Sequence, residues 1–98
     1  MHSKEILDFI RENSSLFWYI PDQEKENISP ELLVETIFNY GDEKAVQKLF
    51  LLMGINNVAD IFYRQISGER VNYFPAVINF FNLYFQRHAQ RNTDKQSG

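Results

Sequence analysis

The chain has 98 residues, a net charge of −3 and no cysteine. That length builds one domain around one core with little margin, and the missing cysteine excludes a disulfide framework and thiolate metal sites. No apolar run approaches the roughly 20 residues of a membrane span, and acids interrupt the apolar pattern of the N-terminus, so the expectation is a cytoplasmic protein with no signal peptide.

Ser3 is placed to cap a first helix to about Asn13, with Ile6, Phe9 and Ile10 at the helical period. Leu16-Phe17-Trp18-Tyr19-Ile20 is a dense aromatic patch ended by Pro21. Residues before proline avoid the helical region, so the patch is expected to end extended or in a turn, its rings plugging the bundle. Asp22 to Asn27 reads as a charged loop.

The second helix opens on several agreeing signals. Ser29 is a good N-cap, Pro30 takes the first helical position, and Ile28 and Leu33 stand where a hydrophobic staple needs them. Leu32, Leu33, Thr36, Ile37 and Tyr40 project onto one face and Val34 and Phe38 onto a second ridge, which predicts a core helix covered on two sides. Gly41 is the expected left-handed stop, and Asp42 caps a third helix over about Glu43 to Met53, with Val46, Leu49, Phe50 and Met53 on one stripe. Gly54 ends it, with Ile55 placed to pack back on Phe50.

Asn56 or Asn57 is the expected cap of a fourth helix to about Ile66, burying Val58, Ala59, Ile61 and Phe62. Ser67-Gly68-Glu69 breaks it. A polar loop leads to a last helix from about Phe74 to Arg91, carrying Phe74, Val77, Ile78, Phe81, Tyr84 and Phe85 on one stripe. The tail from Asn92 has nothing to bury. The fold expected is all-α, a compact single-domain bundle of about five helices over residues 1–91 followed by a flexible tail over 92–98, with the second and last helices most buried.

Enzymatic constellations are missing: the chain has no Gly-rich phosphate loop, nucleophile elbow or HExxH motif. His2 and His88 stand at opposite ends of the sequence and make no metal pair, and Glu31 and Glu35 read as a solvated strip. No catalytic residue, metal or cofactor is therefore expected.

Two binding readings remain. Residues 1–44 hold ten acids and four bases, and residues 45–98 hold three acids and six bases, an asymmetry able to steer a partner. Aromatic residues are 15% of the chain. Trp18, Tyr19, Phe80, Leu83 and Tyr84, with Leu51, are the candidates for a protein interface, since aromatic anchors dominate interface energetics. A homodimer through the last helix is one form such an interface could take. The alternative is a nucleic-acid-binding regulator using Arg64, Arg87, His88 and Arg91 in the basic half. Asp60 would repel phosphates from the fourth helix, and Phe50 is bulky where a helix-turn-helix prefers a small residue.

Phe17-Trp18, then Tyr40-Gly41-Asp42, then Gly54-Ile55, then Asn79-Phe80-Phe81 together resemble the pattern of a family of short bacterial all-helical proteins. The resemblance covers about residues 16–85. Members are often encoded beside nucleotidyltransferase-like toxins of the abortive-infection type. The resemblance implies an antitoxin or accessory role, with a toxin encoded nearby as partner, and carries over no catalytic residue.

Overall fold

Three side chains set where the first three long helices begin. Ser3 Oγ accepts from the Ile6 N–H at 3.3 Å, Ser29 Oγ from the Leu32 N–H at 3.1 Å, and Asp42 Oδ1 from the Ala45 N–H at 2.8 Å. Each meets one of the amide groups that a helix N-terminus leaves unpaired. The computed structural model describes residues 3–88. Its helices are α1 (Lys4–Glu12), α2 (Pro30–Tyr40), α3 (Glu43–Met53), α4 (Ile55–Ile66) and α5 (Pro75–His88), with 3₁₀ segments at Ser14–Phe17 and Asp22–Asn27. No strand occurs among the described residues. The domain is all-α and compact.

The core is built on α2. Leu33, Val34, Thr36, Ile37 and Phe38 are all buried, so this helix is covered on both ridges. Close backbone neighbours are α3, α4 and the Ser14–Phe17 segment. Two adjacent rings of that segment's end part company: Phe17 is fully buried, whereas Trp18 is 74% exposed. The plug is therefore centred on Phe17, with Leu16 and Ile20 packed partly against the core, while the tight 3₁₀ turn rotates Trp18 out to solvent.

The two glycines that bracket α3 do different work. Gly41 has φ −78° and ψ 159°, an extended conformation open to any residue, and so is not the left-handed stop expected. A Cβ there would lie 2.7 Å from the Ile37 carbonyl oxygen and 3.2 Å from the Ala45 Cβ. Glycine is needed for space, since α2 and α3 turn on each other without a linker. Gly54 has φ 87° and ψ 132°, and lets α4 start at once, bent 107° from α3.

Other expectations change in detail. The fourth helix begins at Ile55, so Asn57 lies inside it and caps nothing there; its Nδ2 donates instead to the Met53 carbonyl at 2.8 Å, satisfying the end of α3. Asp22–Asn27 is a 3₁₀ helix rather than a loop. Tyr40 is half-exposed, turned to the ring of Phe74 5.8 Å away. The last helix is less buried than expected: Phe81 and Phe85 are its buried residues, against Val58, Ala59, Ile61 and Phe62 on α4.

Tyr73, in the loop read as polar, belongs to the core. Its hydroxyl donates to Gln65 Oε1, while Gln65 Nε2 donates to the Glu31 carbonyl at 2.9 Å. Asn39 grips the same loop from α2: Nδ2 donates to the Asn72 carbonyl at 2.9 Å, and Oδ1 accepts from the Phe74 N–H at 3.2 Å. These bonds fix the point at which α5 begins. Among the described residues, no single helix is long and apolar enough to cross a membrane.

Candidate functional site

Helix α5 is attached to the bundle through rings rather than through close backbone approach. Phe81 lies on Phe38, Phe85 meets Phe38, Phe50 and Phe62, and Tyr84 stacks on Phe50 with centroids 5.5 Å apart and planes 19° from parallel. A ring-wide spacing leaves a groove of about 430 Å³ between α3 and α5. Val46 and Phe50 line it from α3, and Val77, Phe80 and Tyr84 from α5, over a floor of Phe38 and Phe81.

The groove has a polar end and an aromatic end. Gly41, Asp42 and Glu43 line it where α3 begins. Because Tyr40 meets Phe74 at that end and Phe50 meets Tyr84 further along, α3 and α5 run side by side in the same sense. Phe80, Tyr84 and His88 stand one turn apart on α5. Phe80 stacks with Tyr84 at 6.2 Å and Tyr84 with His88 at 4.3 Å between ring centroids. The ladder leads from the acidic mouth toward Arg87 and His88 in the last turn.

Three of the five interface candidates thus come together on α5. Phe80 is 59% and Leu83 53% exposed, while Tyr84 is half-buried between Phe80 and Phe50. Leu51, on α3, is 82% exposed.

Trp18 and Tyr19 border a different depression, of about 260 Å³, with Glu35, Thr36, Asn39, Tyr40 and Asn72. It shares no lining residue with the groove. The Trp18 and Tyr19 rings meet edge to face at 5.4 Å. The Tyr19 and Thr36 hydroxyls share a hydrogen bond, which pairs the buried threonine and holds the ring in place. Glu35 and Tyr40 have no periodic signal that marks them as a site; only the return of the 72–74 loop to α2 gathers them.

Of the residues named for nucleic acid, Arg64, Arg87 and His88 lie among the described residues. The Arg64 guanidinium pairs with Asp60 one turn earlier, Nε to Oδ2 at 3.4 Å. Arg87 and His88 are exposed at the end of α5, His88 with its ring against Tyr84. Arg91 lies outside the described residues, as do His2 and the 92–98 tail. No group of three or more His, Cys, Asp or Glu among the described residues is arranged to hold a metal ion.

Compared with protein-family models, curated proteins and solved structures, the chain finds no match.

Proposed function

We propose that this protein is a non-enzymatic interaction module of the cytoplasm whose docking face is the α3–α5 groove with its flanking residues Phe80 and Leu83. The observation that carries this reading is the exposure of both residues beside a preformed groove floored by Phe38 and Phe81. An apolar helix from a partner, laid along the groove, would bury rings already held in place by stacking. Little side-chain freedom would be lost on binding, which is what makes aromatic anchors effective. Asp42 and Glu43 at one end and Arg87 and His88 toward the other give the groove a direction in which to orient a charged partner.

The sequence resemblance supplies the partner class. On that basis the chain acts as an antitoxin-like or accessory partner of a nucleotidyltransferase-type toxin encoded beside it. Co-expression of the tagged chain with the product of the adjacent gene tests the reading. Stable co-purification is the expected result, and a wild-type chain recovered free of that product, or recovered only as a dimer of itself, contradicts it.

A further inference from the structure

We propose that the depression beside Trp18 is a binding site for an organic cation, a guanidinium or alkylated ammonium group. Three aromatic side chains, Trp18, Tyr19 and Tyr40, line it together with one carboxylate, Glu35. The ring faces of tryptophan and tyrosine carry negative potential and attract cations, and the attraction grows where water is partly excluded. Among the described residues Glu35 has no ion-pair partner, since the pairs formed there join Arg11 to Asp8 and Glu26, Lys25 to Asp22, and Arg64 to Asp60.

The site is built rather than incidental. Tyr19 is pinned by its hydroxyl to Thr36, Tyr40 is braced at 89° by Phe74, and Asn39 holds the Asn72 rim through its carbonyl. Trp18, 74% exposed and edge to face with Tyr19, forms the outer wall. A neutral apolar ligand would leave Glu35 without a counter-charge, whereas a compact cation with apolar or planar faces satisfies rings and carboxylate together. The groove on α5 is not involved, so this site and the docking face stand or fall separately.

Trp18 is the only tryptophan of the chain, and its emission therefore reads the pocket directly. The full chain is titrated at constant ionic strength with tetramethylammonium, with N-acetyl-arginine amide, and with tert-butanol as an uncharged body of similar size. A saturable emission change with a cation and not with tert-butanol is the expected result. Tighter response to the arginine amide identifies a peptide side chain as the source of the cation, and tighter response to tetramethylammonium a free alkylammonium ion. Glu35→Gln and Tyr40→Leu, each checked for unchanged helicity, should weaken the response about fivefold or more. A non-saturating response, an equal response to tert-butanol, or wild-type affinity in folded Glu35→Gln overturns the proposal.

Discussion

The rings of Phe38 and Phe81 lie face to face, with centroids 3.7 Å apart and planes 6° from parallel. Phe38 also meets Phe50, Phe62, Tyr73 and Phe85. One residue of α2 is therefore the hub on which α5 rests, and it forms the floor of the groove as well. Stability and the docking face share a side chain.

Truncation of that hub should be felt in both. Phe38→Ala is expected to destabilise the fold by about 3–5 kcal/mol, the range for deleting a buried phenylalanine. Phe38→Leu keeps most of the volume and should cost less, while removing the ring on which Phe81 lies. Chemical denaturation measures the stability, and hydrogen exchange should show α5 losing protection before α2 and α4. Equal loss in all three helices would contradict the view that α5 is held mainly through this pair.

The two glycines around α3 should fail for different reasons. Gly41→Ala places a methyl group against the Ile37 carbonyl, a backbone atom that cannot swing away. Gly54→Ala meets nothing closer than the Asn57 side-chain nitrogen at 3.5 Å, but forces alanine to φ 87°. Each substitution is expected to cost about 1–3 kcal/mol, the first by overpacking and the second by backbone strain. Gly41→Ser should be no better than Gly41→Ala, because both carry the same Cβ. Thermal unfolding of the three variants decides the matter, and a wild-type midpoint for Gly41→Ala would remove the steric explanation.

Alkaline pH should destabilise the domain through Tyr73. Burial, and secondly the nearby charge of Glu35, push its hydroxyl above the ordinary tyrosine value of 10.0. The folded state thus prefers the protonated phenol. Its contribution is fully present below about pH 10, then falls as the pH rises toward the higher folded value. Burial raises Tyr63 as well, so a smaller effect of the same sign remains without Tyr73. Tyr73→Phe should lose about 0.5–1.5 kcal/mol at neutral pH with the hydrogen bond to Gln65, yet show a flatter decline between pH 9 and 11. A decline as steep as that of the wild type would assign the alkaline sensitivity elsewhere.

The helix starts at Ser3, Ser29 and Asp42 were legible in the sequence because a cap is a local device, complete within four residues. The core character of α2 was legible for a similar reason, since its two apolar ridges leave little polar surface. What could not be read locally depends on the return of a distant segment. Tyr73 sits in a polar break with no period of its own and is buried only because Gln65 and Asn39 draw its loop onto the bundle. Gly41 was recognised as necessary for the wrong reason: a left-handed stop and a close approach both select glycine. Phe80 and Leu83 fall outside the stripe of Val77, Ile78, Phe81, Tyr84 and Phe85, and both are exposed. The cation pocket went unseen apart from its Trp18 and Tyr19 edge, since Glu35 reads as part of a solvated strip and Tyr40 as part of the apolar face of α2 until Trp18 is set beside them.

The central claim concerns the α5 face, and the charge-introducing pair Phe80→Asp with Leu83→Asp addresses it most directly. Neither side chain is buried, so the double variant should stay folded, losing about 0.5–1.5 kcal/mol with the ring contacts of Phe80 to Phe81 and Tyr84. Binding of each chain to the product of the adjacent gene is then measured by titration calorimetry. A tight wild-type isotherm and a loss of at least about a hundredfold in the double variant is the predicted outcome. A folded double variant that binds as the wild type does would contradict the claim.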